Sequence, residues 1–531
     1  MSGTPRTRLA LVGATAAALV GGLLVSGSPG SPAEAAGKTS PDLASALDTV
    51  LTDARLDGAL VAAQVSDAAT GEVLYARNAG TRLVAASTTK LFSSAAAAGL
   101  LGTDHRFTTD VLASGEVADG VLTGDLVLRG GGDPTTLASD YEALAAEVAE
   151  SGIRTVTGDL VADDGYFDDV PYAPGWAWDD EPYYYNAVTS ALTVAPDTDY
   201  DSGTVIVRVA PGASAGEPVT VGTSPTTSVL EIEVRATTGA KGSASTVAIE
   251  RLHGSSTVLV TGSVPVGGSA VSEWVTVPNP TAYATDVFAQ ALERAGVTVQ
   301  GERREGAAPG GAQAVAEHES MTVGELLTPF LKLSNNLHAE ALVKTVGAEL
   351  AGSGTWRAGL AEMRAWLADQ GVDTSGMRLV DGSGLSRMAG VRADDLNDLL
   401  VGVRDEPWYD TWYSALPVAG ESDRLVGGTL RSRMLKSAAA GNVHAKTGSL
   451  TGVSALSGYV ANRDGRQLAF TIITNQNLVS VRPIEDAFAI SLADWSAAAK
   501  PKPAKPKAAE SLAPESATSR AQGECSWARA C

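Results

Sequence analysis

The sequence predicts an α+β protein in which one larger domain, mixed in helix and strand, is split by an insertion of two smaller, mostly β domains. Three observations predict it. Helical spacing and period-two apolar runs occur together at both ends of the 531-residue chain. Short Val/Thr/Ile runs separated by Gly, Ser and Pro fill the stretch from about 191 to 277, the texture of a small all-β module. A composition of 44% hydrophobic and 19% charged residues suits packed cores, and the length suits two or three domains.

Taken in order, Leu43, Leu47, Val50 and Leu51 recur at helical spacing, and 59–66 and 73–75 read as two strands about a turn at 67–71. The Ala/Leu-rich stretch 85–101 predicts a buried helix beginning near Ser87. Residues 108–128 are strand-like, and 141–148 read as a helix. Strands are expected at 204–209, 229–236, 245–251 and 256–261, then helices at 282–295, 323–333, 339–350 and 356–370. The end is β again, at 442–447, 454–460 and 467–474 in hairpin order, followed by a helix over 484–497.

Charge and cysteine usage exclude several classes. A net charge of −22 argues against a nucleic-acid binder, which needs a basic face. Cys525 and Cys531 are the only cysteines and lie in the last seven residues, so no disulfide framework or Cys-based metal site holds the body. The five histidines show no paired metal-ligand spacing, so neither a metal nor a cofactor is expected. At the start, Arg6 and Arg8 precede an apolar run from Leu9 to Val25 and the site Ala33-Glu34-Ala35, the pattern of a cleaved secretory signal; an uncleaved anchor is the alternative. A secreted, cell-wall-associated protein is expected. Residues 499–531, opening with alternating Lys and Pro, read as an extended tail whose partner, if it has one, the sequence does not name.

Three short motifs occur in order: Ser87-Thr88-Thr89-Lys90, Ser334-Asn335-Asn336 and Lys446-Thr447-Gly448-Ser449. Each alone is bland, a helix cap, a loop or a surface strand. Together they are the S-x-x-K, S-x-N and K-T-G set of penicillin-binding proteins and class A β-lactamases. The chemistry is coherent. A serine hydroxyl is a poor nucleophile and needs a neighbouring base, and three-residue spacing puts Lys90 on the face of Ser87, able to act once its amine is neutral. Ser334 can relay a proton while Asn336 holds a substrate amide. On a strand, Lys446, Thr447 and Ser449 can grip a carboxylate while Gly448 permits close backbone approach. The oxyanion hole is assigned to the N–H groups of Ser87 and Ser449.

On these motifs the sequence resembles the D-alanyl-D-alanine carboxypeptidase/endopeptidase family of low-molecular-mass class C penicillin-binding proteins, actinomycete type. The resemblance rests also on Gly124-Asp125-Leu126-Val127-Leu128-Arg129-Gly130-Gly131-Gly132-Asp133-Pro134-Thr135, on Gly175-Trp176-Ala177-Trp178-Asp179-Asp180 with Tyr183-Tyr184-Tyr185, and on Asp381-Gly382-Ser383-Gly384-Leu385-Ser386-Arg387. The 247 residues from Ser87 to Ser334 are far more than a β-lactamase carries. The family implies a penicillin-binding-protein/β-lactamase-like transpeptidase domain at 36–106 and 317–498, an inserted domain II at 107–190 and 278–316, and an inserted β domain III at 191–277, after a signal peptide at 1–35.

The resemblance implies Ser87 as acylated nucleophile, Lys90 as its base, Ser334 and Asn336 as the second wall, and Lys446, Thr447, Gly448 and Ser449 as the carboxylate grip. Such enzymes remove the terminal D-Ala of peptidoglycan stem peptides, or cut cross-links, and are trapped by β-lactams as covalent inhibitors. For a diaminopimelate-like side chain the matching positions are Asp180 for its ammonium and Arg387 for its carboxylate, with Tyr185 and Ser383 nearby. Leu450 stands where the family pattern carries Met, which keeps the pocket apolar. The residues alone leave Asp180 as a solvated loop acid and Arg387 as a structural pair. A catalytically weak β-lactam-binding wall protein is the alternative function, and a β-lactamase a more distant one. Carboxypeptidase against endopeptidase preference and oligomeric state are left open.

Overall fold

The structure, a computed structural model, describes residues 41–497; the expected signal peptide at 1–35 and the Pro/Lys tail at 499–531 lie outside them. A five-stranded antiparallel sheet runs in the order His444–Leu450, Val453–Ala461, Gln467–Asn475, Leu60–Asp67, Val73–Arg77. The first and last strands of the chain's sheet residues thus become neighbours, as an interrupted domain requires. The three central strands are buried almost throughout because both faces are covered.

Side-chain alternation divides the strands between two cores. Ala455, Tyr459, Ala469 and Ile473 face Phe92, Leu327 and Phe330, from the helices that carry the first two motifs, and Leu396 from a further helix, Ala393–Gly402. Leu456, Val460, Leu468, Phe470 and Ile472 face Leu43, Leu47, Phe488 and Leu492, from helices Pro41–Val50 and Arg482–Asp494. Each such Leu, Ile or Phe stabilises the fold by roughly 1.5–3 kcal/mol. Strand His444–Leu450 is at the sheet edge, so one row of its backbone groups is turned away from the sheet.

The inserted region carries its own sheets. A seven-stranded sheet is built on the hairpin Thr108–Ala118/Val121–Gly130 and includes Gln313–Glu319, with helices Ala138–Glu150 and Pro280–Arg294 packed together beside it. Three smaller sheets lie between residues 204 and 276. Leu126, Leu144 and Phe288 share one contiguous apolar cluster with Val207, Val260 and Val275, so the two inserted parts are joined by core rather than by a linker.

The sequence places most helices within a few residues. Helix Val323–Leu333 has the bounds expected, held at its start by a Thr322/Glu325 capping box. The next helix, Asn336–Ala351, starts three residues earlier than expected. Helix Ala393–Gly402 and the two-residue strands Thr155–Val156 and Thr298–Val299 were not expected from the sequence. Strands of two residues are too short to show a period.

Candidate active site

Ser87 does not open the α-helix, as the sequence suggests. It lies in a 3-10 turn, Ala86–Thr89, and the α-helix starts at Lys90. The cause is Ala86, whose φ of 48° breaks helical geometry just before the nucleophile. The turn therefore projects Ser87, and the helix N-terminal dipole acts on it from three residues further away than on a serine at the opening position.

Two glycines make room for this turn. A Cβ on Gly448 of the edge strand would fall inside the van der Waals envelope of the Ala85 carbonyl oxygen, and one on Gly384 would collide with that of Ala86. Gly384 also has a φ of +77°, a conformation that disfavours any side chain. The backbone that Gly448 admits is thus the protein's own nucleophile turn, which brings Ser449 and Ser87 onto facing edges.

Lys90 is fully buried, and its Nζ lies 2.9 Å from Ser87 Oγ, 2.6 Å from Asn336 Oδ1 and 3.0 Å from the Ser383 carbonyl oxygen. The amide and carbonyl oxygens only accept, so two N–H directions are committed to them. The direction toward Ser87 is where a proton can pass either way. Asn336 donates its Nδ2 to the Tyr185 carbonyl at 2.7 Å, which fixes its amide orientation.

Ser334 ends helix Val323–Leu333 in the left-handed region, at φ 66° and ψ 34°. That conformation would suit glycine, yet the hydroxyl here accepts from Lys446 Nζ at 2.8 Å. Lys446 also donates to the Thr447 carbonyl at 2.9 Å, and Thr447 Oγ1 donates to Thr429 Oγ1 at 2.9 Å. Beside Thr447, Gly448 and Ser449 lies a cavity of about 220 Å³ that continues to Arg433 and Arg482. Arg433 is held there by Glu485 and Asp486. The three motifs thus form two serine–lysine pairs, 87/90 and 334/446, on facing walls.

The remaining sequence-predicted residues divide. Tyr185 and Leu450 pack with Ala86, Leu385 and Val453 in a small apolar cluster beside the nucleophile turn. Tyr185 OH donates to Asp180 Oδ1 at 2.8 Å, and the exposed Arg387 donates to the Thr451 carbonyl at 3.1 Å, one residue beyond Leu450. Ser383 has another station. It is fully buried, its carbonyl accepts from Lys90, and its hydroxyl lies 3.5 Å from Asp381 and accepts from the Leu385 amide. The loop's need for internal hydrogen bonds turns that hydroxyl inward, so Ser383 supports the base instead of lining the pocket.

Two buried carboxylates that the sequence reading assigned no role hold this loop. Glu340 accepts from the amides of Gly382 (3.0 Å) and Ser383 (2.9 Å) and from the Trp356 indole (2.6 Å). Asp381 accepts from the amides of Gly384 (3.1 Å) and Ser386 (2.7 Å) and from the Trp176 indole (3.0 Å). Burial, together with the neighbouring Asp381 charge, pushes Glu340 up to about 7, and burial raises Asp381 as well. The available signal was a glutamate one helical turn after Asn336 and one before Lys344, three polar residues on one helix face. Among the described residues no three or more His, Cys, Asp or Glu side chains gather as a metal-holding group.

The chain is 45% identical over 503 residues to the D-alanyl-D-alanine carboxypeptidase of Actinomadura sp. (strain R39), covering 94% of this chain and 92% of that one. Penicillin binding protein 4 from Haemophilus influenzae superposes with a TM-score of 0.72 at 25% identity, over 84% of this chain and 98% of that one. A second structure of that protein, complexed with a β-lactam, superposes with a TM-score of 0.67 at 23% identity, again over 84% and 98% of the two chains. Residues 43–494 match the D-Ala-D-Ala carboxypeptidase 3 (S13) family across both walls of the site and everything inserted between them, and the chain belongs to that family.

Proposed function

We propose that the chain is a serine-type D-Ala-D-Ala carboxypeptidase that acts on peptidoglycan stem peptides through a Ser87 acyl-enzyme and is inhibited by β-lactams at the same serine. The observation that carries this is the Lys90 nitrogen, buried and 2.9 Å from Ser87 Oγ, with two acceptor-only partners holding it in place.

Ser87 Oγ bonds to the carbonyl carbon of the penultimate D-Ala as its proton passes to Lys90. The oxyanion faces the N–H groups of Ser87 and Ser449. The C–N bond then breaks, and the departing D-Ala nitrogen takes a proton by way of the Ser334–Lys446 pair, 2.8 Å apart. Water attacks the ester, yields the shortened peptide and returns the proton to Ser87. The terminal carboxylate lies against Thr447 and Ser449. A β-lactam ring opens by the same attack, but its leaving group stays tethered.

The side chain of the third stem residue is assigned to the cluster at Asp180, Tyr185, Arg387 and Leu450. An acid and a cation at opposite ends of an apolar patch suit a side chain ending in ammonium and carboxylate, as in diaminopimelate. We assign the protein to the outside of the cell, at the wall, on the strength of the basic–apolar–Ala33-Glu34-Ala35 pattern of its first residues.

The test is intact-protein mass after mixing with benzylpenicillin, for wild type and Ser87→Ala, with D-Ala release from a stem peptide measured in parallel. A lasting adduct absent from the variant, together with released D-Ala, is expected. No adduct, or an adduct lost within seconds, would replace this reading with an inert wall protein or a β-lactamase respectively. Against the latter, both Glu340 oxygens accept amide or indole N–H groups, which commits that carboxylate to the loop.

A further inference from the structure

We infer that the inserted β region, residues 191–277, fixes the side-chain specificity of the site by clamping Glu181, the residue next to Asp180; the inference rests on the pocket reading given above. Arg251 is fully buried within that region. Its Nη2 donates to Glu181 Oε1 at 2.5 Å and to the Glu181 carbonyl at 2.9 Å. Thr276 Oγ1 donates to the same carbonyl at 2.9 Å and accepts from Arg251 Nε at 3.1 Å. The amide of Gly254 donates to Glu181 Oε2 at 2.9 Å, and His253 Nδ1 lies 2.6 Å from that oxygen. The Arg251 fork is completed by the Ser255 carbonyl at 2.7 Å. Both the carboxylate and the carbonyl of one residue are therefore gripped by four residues of the insertion.

The gripped segment is short and borders the site at its other fixed points. Trp176 is tied to Asp381, Tyr185 OH to Asp180, and the Tyr185 carbonyl to Asn336. Tyr183 forms a β-bridge with Val275, and Trp178 meets the His253 ring edge-on at 4.9 Å. Asp180 thus hangs between two anchors, one in the catalytic wall and one in the insertion. A shift of the second anchor moves Asp180 without moving Ser87 or Lys90. Glu181 and Arg251 are positioning residues, and a position error of about an ångström is enough to be felt in rate.

The experiment compares two stem peptides ending in D-Ala-D-Ala, one with a diaminopimelate third residue and one with that residue's side-chain amine acetylated. kcat/KM is measured on both for wild type, Asp180→Asn, Glu181→Gln, Arg251→Gln and Thr276→Val, with benzylpenicillin acylation as the check on folding. The expected result is that Glu181→Gln lowers the preference for the free amine about 5- to 50-fold, mostly through KM, and leaves the acetylated peptide and penicillin acylation within about twofold. If Arg251→Gln fails to acylate, Glu181→Gln and Thr276→Val carry the test. Equal losses on both peptides, or no loss on either, with Asp180→Asn still abolishing the preference, would overturn the clamp and spare the pocket. No effect of Asp180→Asn would overturn both.

Discussion

Lys446 Nζ stands 2.8 Å from Ser334 Oγ, a lysine from the edge strand and a serine from a left-handed helix end. Neither conformation nor burial would be chosen for stability. Ser334 holds a φ of 66°, and Lys446 is fully buried. Strain and buried cations of this kind persist where function requires the group.

Replacing Ser334 by Ala should remove the relay and leave Lys446 with its Thr447 carbonyl contact. The expected loss in D-Ala release is about 10²–10⁴-fold, the range of a general acid–base contribution. Stopped-flow acylation and steady-state release, measured on one preparation, would separate the steps. An unchanged rate of both would remove Ser334 from the proton path.

Glu340→Gln tests the support of the base. A glutamine oxygen can accept from Trp356 and Gly382, but its NH2 would then meet the Ser383 amide, a donor facing a donor. One unsatisfied buried N–H destabilises by about 1–3 kcal/mol, and the Ser383 carbonyl shifts relative to Lys90. We expect acylation by benzylpenicillin to slow about 10- to 100-fold with weakened thermal stability. The pH profile is diagnostic. A Glu340 raised to about 7 favours folding at low pH and loses that contribution as pH rises through about 7. Melting temperatures from pH 5 to 8 should fall less steeply with pH in the variant than in wild type.

Gly448→Ala should push the edge strand off the nucleophile turn, because the new methyl meets the Ala85 carbonyl oxygen and crowds the Thr88 nitrogen, both backbone atoms of that turn. Overpacking of this kind costs about 1–3 kcal/mol. Acylation should drop more than stability does, since the displacement falls between Ser87 and Ser449. Normal acylation with a lowered melting temperature would show that the strand relaxes elsewhere.

The motif-bearing elements were legible because each has a strong local signal. Val323–Leu333 carries its apolar stripe and capping box, and the last two strands carry apolar runs between turns, while His444–Leu450 is marked by its K-T-G motif. The 3-10 turn at Ser87 was not legible, because the positive φ of Ala86 is imposed by what packs on it and not by alanine. Ser383 is a pocket residue on the resemblance alone, and no local pattern shows which way its side chain turns. A tight loop turns neighbours in opposite directions, which leaves Arg387 exposed and Ser383 buried. Glu340 needed knowledge of which helix face is inward, and Arg251 a contact across 70 residues that no local pattern encodes.

His338 gives the last prediction. It is fully buried two residues after Asn336; its Nε2 lies 2.8 Å from the Tyr200 carbonyl, and its Nδ1 is buried with no hydrogen-bond partner. The neutral ring with hydrogen on Nε2 satisfies this site. Adding a proton to Nδ1 would create a buried donor facing no acceptor. Burial, with the nearby Lys90 charge, accordingly lowers the group to about 4. The unfolded chain binds a proton near the ordinary value of about 6.5, so between about 6.5 and 4 the unfolded state holds more protons and stability falls as pH falls. At about 1.4 kcal/mol per unit, this one ring removes on the order of 3 kcal/mol by pH 4. Because Asn335 donates to the same Tyr200 carbonyl at 3.2 Å, the loss should loosen the S-x-N wall and slow acylation in parallel. Urea melts of wild type and His338→Gln at pH 4.5 and 7 isolate it. The variant should lose less stability on acidification, and an equal loss in both would place the acid sensitivity elsewhere.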